Sequence, residues 1–412
     1  MPRTAPLLPL VALLAMGQGC ETSREHRGVG KAERVLKDVL VQDPQFTRYA
    51  LDIAAHSTSS FSEALILEHL GATDSETVYA AAQAAARRPV PGHEDALQKI
   101  LSSKIGAVRV QAAGALARLG DEKAANWLEE SAEGVPGVPN TEAIRLLILA
   151  GRDSPGIQAI LRKGLKAQEQ EKRDEIYALL GEIGESWSVD LIVEGFEREH
   201  GAGRREAIVA LGRAGDPARA APIRRFIGTR GLVFATVEAL GNLEDRESIP
   251  ALQEMLGHPE RRLQVHAAVA LFKLGMGAEV QEKLGSILTD DDRRIRQALA
   301  EQLGSDDSDL GLSMLATLAE DPEPRVREEA VRGLREKDDP RLEQIFLGRV
   351  TDSEYEIASL ALGALGKVGS ASTLDAIEPL LQSENGYVAI SAANAILEIA
   401  ARVGEKPSGN RP

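Results

Sequence analysis

The 412-residue sequence contains one cysteine, Cys20, and few aromatic residues, which make up 3% of the chain. A single thiol cannot form an internal disulfide or build a cysteine-based metal site. Hydrophobic residues nevertheless make up 43% of the chain, so the core has to consist of Ala, Leu, Ile and Val. Such a core favours close packing of helix on helix over a sandwich of sheets.

The sequence also lacks the motifs of common catalytic sites. Its seven histidines include no pair at His-x-x-x-His spacing, and there is no glycine-rich nucleotide loop. One serine cluster lacks the Gly-x-Ser-x-Gly context of a nucleophile, and we interpret it as a turn between helices: Ser57, Ser59, Ser60 and Ser62. We therefore expect neither an enzyme activity nor a cofactor or metal.

Acidic residues outnumber basic ones, 63 to 48. The formal net charge is −15, which disfavours nucleic acid and anionic lipid as partners. One segment departs from this balance, because Arg198–Arg230 contains eight arginines and three acids. Arginine offers paired donors to carboxylates and phosphates, so the segment is a candidate partner-binding patch, with a solvated helical face as the alternative. The candidate residues are Arg204, Arg205, Arg219, Arg224, Arg225 and Arg230.

The N-terminus contains an unbroken apolar run, Leu7–Met16, preceded by one arginine. Ten residues are too few to span a bilayer, which takes about twenty. They fit the central part of a secretory signal peptide, which small residues then end. We predict a signal peptide over residues 1–19 and, after it, a polar tether over residues 20–40.

This N-terminus resembles a bacterial lipoprotein signal, in which the cysteine after the cleavage site carries a diacylglycerol. Gly19 fits that pattern, whereas Gly17 and Gln18 differ from the residues that the family prefers there. The resemblance implies that Cys20 is lipidated and anchors the chain in the cell envelope. Glu21 stands where inner-membrane lipoproteins carry Asp, which favours the outer membrane. An ordinary signal peptide with a periplasmic product is the alternative.

From about residue 43 the sequence repeats itself. Each unit starts with a helix that has Ala and Leu at three-to-four spacing, continues through a turn and ends with a second helix. The turn positions lie 29 to 34 residues apart; they are Gly120, Gly151, Gly184, Gly215, Glu244, Gly275, Gly304, Asp338 and Gly369. A period near thirty with two helices per unit predicts an all-α fold, an α-solenoid of stacked helix pairs.

The units resemble HEAT repeats, especially the short kind shared with phycobilin lyases. One unit carries the family's Val-Arg, Ala-Ala and Gly-Asp pairs as Val108-Arg109, Ala112-Ala113 and Gly120-Asp121. The resemblance implies that a turn aspartate and a helix arginine form a ladder between neighbouring repeats. Carried over to this sequence, the ladder residues are Arg109, Asp121, Asp216, Arg296 and Arg327.

We expect the array to span residues 41–403, with a divergent cap over 41–72 and a disordered tail over 404–412. The concave surface of a solenoid, usually lined by the second helix of each unit, is the expected binding face. The sequence favours an exported, lipid-anchored scaffold that binds a protein or peptide and touches the membrane only through its anchor. Two alternatives stay open: an enzyme or enzyme-assembly factor of the HEAT-like lyase type, and a self-associating structural envelope protein.

Overall fold

The computed structural model describes residues 26–40, 43–134, 140–152 and 154–404. These residues form twenty-four α-helices and no strands, which confirms the predicted all-α class. Four short 3-10 helices add to them, at Pro217–Arg219, Arg246–Ser248, Pro340–Leu342 and Glu378–Gln382.

The helices alternate between the first and second positions of successive units. The first helices are α2 (Pro44–Ala54), α4 (Ser75–Arg87), α6 (Gly106–Arg118), α8 (Thr141–Leu149), α10 (Gln170–Ile183), α12 (Gly201–Ala214), α14 (Val233–Asn242), α16 (Arg261–Lys273), α18 (Arg293–Leu303), α20 (Pro324–Arg335), α22 (Tyr355–Val368) and α24 (Gly386–Gly404). The second helices are α3 (Ser60–Leu70), α5 (Glu94–Ile100), α7 (Glu122–Ala132), α9 (Pro155–Gly164), α11 (Ser186–Phe196), α13 (Ala221–Arg224), α15 (Ile249–Met255), α17 (Gly277–Leu288), α19 (Asp309–Leu318), α21 (Glu343–Leu347) and α23 (Ala371–Ile377). One further helix, α1 (His26–Leu40), precedes them all.

The unit formed by α6 and α7 shows how the sequence produces a helix pair. Ala112 and Leu116 of α6 are buried in the core, at 0% and 1% exposure. Gly120 then takes a φ of 93°, a left-handed conformation that closes the helix and favours glycine. The Asp121 carboxylate caps α7 by accepting hydrogen bonds from two backbone N–H groups of its first turn, at 2.9 and 3.0 Å.

Six of the nine predicted turn positions take a positive φ: Gly120, Gly151, Gly184, Gly215, Glu244 and Gly275. Glu244, with a φ of 52°, is the one non-glycine residue in this conformation among the described residues. A side chain there carries steric strain that glycine avoids. The geometry of the helix pair therefore requires the left-handed conformation at this turn position, even where the residue is not glycine.

The array closes on itself. Each first helix packs on the first helix of the next unit from α2 through to α24, and α24 in turn packs on α2. The second-helix position beside α24 is filled by α1, which comes from the opposite end of the chain. The twelfth unit is thus built from both ends of the described chain, and the solenoid is a ring.

This closure differs from the predicted organisation of the N-terminal region. Residues 26–40, expected as part of a polar tether, form α1, in which Ala32 and Leu36 are 0% and 3% exposed. Residues 44–70, expected within a divergent cap, form the regular pair α2 and α3 with neighbours on both sides. Glycines and charged side chains in α1 resemble a linker in the sequence, although α24 supplies the apolar surface that orders it.

Parts of three predictions fall outside the described residues. These are the signal peptide, the lipidated Cys20, and the tail from residue 405 onward. The α24 helix, which ends at Gly404, meets the length and hydropathy of a membrane span. Packing on α1, α2 and α22 accounts for that apolar character, since 61% of Gly386–Val403 is buried within the ring.

The first helices form the inner layer of the ring, because small residues let them approach closely. A Cβ on Gly181 would lie 2.9 Å from Cα of Ala210, and one on Gly212 would lie 2.8 Å from Cα of Ala239. Neighbouring second helices make few contacts with one another. The two layers of the ring contain the same number of helices, so the layer whose helices lie closer together has the smaller circumference. The first helices therefore lie inside and the second helices face outward.

A hydrogen bond between units two apart confirms this curvature. Gln302 on α18 donates from Nε2 to Glu238 Oε2 on α14 at 3.3 Å, passing the intervening α16. Side chains from alternate helices converge in this way only on the concave side of a layer. The expectation that second helices line the concave surface is therefore wrong for this chain.

Replacing Gly212 by alanine tests the close approach of α12 and α14. The added methyl group would lie less than 3 Å from the Ala239 backbone, so we expect a loss of about 1–3 kcal/mol in unfolding free energy. The matched control is Gly363→Ala in α22, where a Cβ would meet nothing within 4 Å. That change should stabilise the protein by about 0.5–1 kcal/mol. Equal shifts in urea unfolding would contradict this account of the inner layer.

Candidate binding surface

The inner face carries a hollow of about 580 Å³ over α2, α4 and the start of α6. Small side chains create it, and the alanines in its lining are Ala55, Ala80, Ala84 and Ala107. Tyr79, Ile105 and Val108 complete the apolar lining, and the Ile105 side chain is 44% exposed. We call this set of seven residues the alanine hollow. It leaves apolar surface open to solvent on the concave side of the ring.

Two ion pairs connect α2 and α4 beside the alanine hollow. Arg87 Nη1 lies 2.8 Å from Asp52 Oδ1, and Arg48 pairs with Glu76. All four side chains are at least 38% exposed, so solvent screens each pair and its contribution to stability stays below about 1 kcal/mol. The hollow thus combines an apolar lining with charged groups that remain free to exchange partners.

Farther round the inner face, Lys273 of α16 ties three units together. Its Nζ donates to Asn242 Oδ1 at 2.7 Å and to Ser305 Oγ at 2.9 Å. Burial lowers the pKa of Lys273, while two nearby carboxylates act against that shift. Burial also lowers the pKa of His266 to about 4, with Arg262 and Lys273 adding to the effect, so this imidazole is neutral at pH 7. The Lys273 amine and the His266 imidazole are thus both packed within the layer of first helices.

Ser57 and Ser59 of the serine cluster lie in the turn between α2 and α3, as the sequence indicated, whereas Ser60 and Ser62 belong to the first turn of α3. Ser59 caps α3 by accepting a hydrogen bond from the Ser62 N–H at 3.2 Å, and its hydroxyl lies 3.1 Å from that of Ser57. Glu398 of α24 accepts from the Thr58 N–H at 3.2 Å. Across the part of the chain that the structure describes, no group of three or more His, Cys, Asp or Glu side chains could hold a metal ion.

The predicted arginine patch has few free donors. Arg224 pairs with Asp245 through two hydrogen bonds of 2.7 and 2.8 Å, and it also contacts Glu247. Arg225 lies 3.0 Å from Glu197. The partner acids come from outside the 198–230 window, so the charge count within that window missed them.

The other members of the patch are mostly engaged as well. Arg219 pairs with Asp190 and Asp216, and Arg205 pairs with Glu206 at 2.6 Å. The Arg204 guanidinium lies over the rings of Phe196 and Phe226, 5.6 and 4.9 Å from their centroids. Arg230 is exposed. These contacts favour a structural role for the patch over recognition of an anion.

The ladder between repeats is present, but its aspartates differ from those expected. Arg296 makes two hydrogen bonds to Asp321, at 2.6 and 2.8 Å, and Arg327 makes two to Asp352, at 2.8 and 2.7 Å. Arg327 also donates to the Asp321 carbonyl at 2.9 Å. Arg296 and Arg327 therefore both bond to the turn that contains Asp321. This turn joins two successive units, α19 of one and α20 of the next.

The remaining ladder candidates have other roles. Asp121 and Asp216 cap the helices that follow them, and Arg109 lies over the Trp127 ring at 5.3 Å. The arginine–aspartate pairs that do link successive units have a spacing of 25 residues, as in Arg296–Asp321 and Arg327–Asp352. Sequence reasoning missed Arg173, whose Nε lies 2.7 Å from Glu199, 26 residues later.

The family model described as HEAT repeats matches residues 63–148, 234–304 and 312–398. Together these segments make up more than half of the 412 residues. No curated protein matches the chain.

Several solved structures are similar to the chain at low identity. The complex of CpcE and CpcF of phycocyanin lyase from Nostoc sp. is 19% identical, covers 66% of this chain and 92% of that chain, and has a TM-score of 0.36. Kap121p is 13% identical, covers 91% of this chain and 49% of that chain, and has a TM-score of 0.36. Human deoxyhypusine hydroxylase is 14% identical, covers 69% of this chain and 97% of that chain, and has a TM-score of 0.28. Sequence identities and TM-scores this low assign no activity to the chain.

Arg224→Ala should lower the unfolding free energy by about 2–3 kcal/mol, because it leaves the Asp245 carboxylate, 5% exposed, without its main partner. The expected loss is smaller than for a fully buried pair, because Arg224 itself is 30% exposed and solvent screens its charge. Arg225→Ala is the control, since more than half of both side chains in its pair with Glu197 is exposed. We expect a loss below about 1 kcal/mol for that change. If urea unfolding shows a loss for Arg224→Ala as small as that for Arg225→Ala, the pair of Arg224 with Asp245 does not stabilise the fold.

Proposed function

The chain belongs to the HEAT-repeat family, and from this premise we propose that it is an exported ring-shaped scaffold that binds a protein partner on its inner face. The alanine hollow is the observation that carries the proposal. It exposes apolar surface on the concave side, and exposed apolar surface with a polar surround is typical of protein interaction sites.

A protein segment with an apolar side chain suits the alanine hollow best. Burying one Leu- or Phe-sized side chain there would contribute about 1.5–3 kcal/mol, which is too little for stable binding by itself. The ion pairs Arg48–Glu76 and Arg87–Asp52 can add hydrogen bonds to the backbone or charges of the same segment. The net charge of −15 disfavours nucleic acid in the same position.

Export and anchoring rest on the sequence of residues 1–20. The apolar run Leu7–Met16 supports a signal peptide, and Cys20 after Gly19 supports lipidation. The first helix of the ring begins at His26, six residues after Cys20. Six residues reach at most about 20 Å, so an anchor at Cys20 would hold the ring close to the membrane surface.

A photo-crosslinking residue in place of Gln83, in the lining of the hollow, should capture a protein in cells that produce the chain. The matched outer position is Glu130, which is exposed on α7, and it should capture none. Ala107→Arg places a long charged side chain at an exposed position of the hollow and should reduce the Gln83 crosslink at least about tenfold. Equal capture at both positions, or capture unaffected by Ala107→Arg, would rule out the hollow as the binding surface.

Labelled palmitate should be incorporated into the full chain, and Cys20→Ser should abolish the incorporation because it removes the thiol that forms the thioether. The measurement is the label in the purified protein, with Cys20→Ala as a second variant. Unchanged labelling in both variants, or no labelling of the parent chain, would leave an ordinary signal peptide as the account of the N-terminus.

A further inference from the structure

The twelfth unit differs from the other eleven in how its helices are connected. In those eleven, the first helix is joined to the second by a connection of two to seven residues. In the twelfth, α1 and α24 come from opposite ends of the described chain. Separating α1 from α24 therefore breaks only non-covalent contacts and leaves every turn of the ring intact.

The α1 helix is held on the ring by a short apolar stripe. Ala32 and Leu36 are buried, and three valines are partly buried against the same core: Val29, Val35 and Val39. Gly28 and Gly30 lie in the first turn, where glycine lowers helix stability. A helix of fifteen residues with two glycines is marginal in isolation, so its order depends on its contact with α24.

The contact between α24 and α2, which we call the seam, combines aromatic packing with hydrogen bonds. The Tyr387 ring packs edge-on against Phe46 and Tyr49, with ring centroids 5.1 and 5.0 Å apart. The Tyr387 hydroxyl donates to Gln45 Oε1 at 2.8 Å, and the hydroxyls of Tyr49 and Ser391 lie 2.8 Å apart. Glu398, 11 residues after Tyr387 on the same helix, accepts from the N–H of Thr58. Several other first helices meet through glycine and alanine.

The connectivity of the seam, together with its hydrogen bonds, determines where the ring can separate. Water can replace the hydrogen bonds of Tyr387, Tyr49 and Glu398 when the seam parts, so the net loss per bond is small. Parting a glycine–alanine crossing such as Gly212 and Ala239 would instead expose apolar surface without compensation. Unlike the other first-helix contacts, the seam joins helices from opposite ends of the described chain, so it is the interface of the inner layer that is suited to opening.

We propose that α1 is a strap: it releases from α24, and the ring then opens at the seam while the other eleven units keep their packing. Opening gives a partner access to the inner face without passing through the closed ring. The inference goes beyond the proposed function, because it concerns how the ring opens and holds whatever partner binds.

Amide hydrogen exchange on the full chain tests the strap. We expect the amides of α1 to exchange at least about tenfold faster than those of α12 and α14, because a released α1 loses the contact that orders it. Exchange of α1 at the rate of α12 would overturn the proposal, because the strap would then open only with the whole ring.

A disulfide between α1 and α24 should close the strap. In a Cys20→Ser background, Gly28→Cys and Ile396→Cys place two thiols where a Cβ on Gly28 would lie 3.7 Å from the Ile396 side chain. Oxidation should slow exchange in α1 to the rate of α12, and reduction should restore the fast exchange. The control pair, Gly366→Cys with Ala395→Cys, joins α24 to α22 and should leave α1 unchanged. An oxidised strap that exchanges as fast as the reduced one would overturn the proposal.

Leu36→Glu provides a second measurement, because it places a charge on the buried side of α1. X-ray scattering should show a larger maximum dimension with little loss of helical content, whereas Lys37→Glu, at an exposed position, should leave both unchanged. If Leu36→Glu instead removes the helical signal of the whole chain, the strap is not a separable element and the proposal fails.

Discussion

The contact of α24 with α1 and α2 is the interaction on which the architecture depends. A helix pair of this size cannot bury its apolar face alone, and in an open array the two terminal units each leave a face uncovered. Here α1 covers the outer side of α24, and α2 packs beside α24 within the inner layer. Both ends of the array are buried by a single closure, and no separate capping unit is needed.

Closure also decides which surface is available for binding. Glycine and alanine at the crossings of the first helices bring that layer close together, which places it inside the ring. Ile105 and Ala107, the exposed apolar residues of the hollow, then face the centre. The α2 helix contributes Arg48 and Asp52 to the rim of the hollow and Gln45 and Tyr49 to the seam, so the proposed binding surface and the closing interface share one helix.

The sequence predicted the features that are encoded locally. The unit period and turns such as Gly120-Asp121 follow from contacts within about thirty residues, and the structure confirms them. Closure joins residues more than 340 positions apart, as in Tyr49 and Ser391, and no local pattern contains it. The arginine patch was misjudged for a related reason, since acids such as Asp245 from a neighbouring unit neutralise it.

The most direct test of the closed ring is a zero-length crosslink between Lys31 of α1 and Glu378 of the 3-10 helix after α23, which form an ion pair across the closure. Carbodiimide treatment of the monomer, followed by mass spectrometry, should yield a peptide that joins these two residues. The ion pair Lys337–Asp307, within the ring, is the internal standard. The account predicts both crosslinks in the monomer; a Lys337–Asp307 crosslink without one between Lys31 and Glu378 would contradict it.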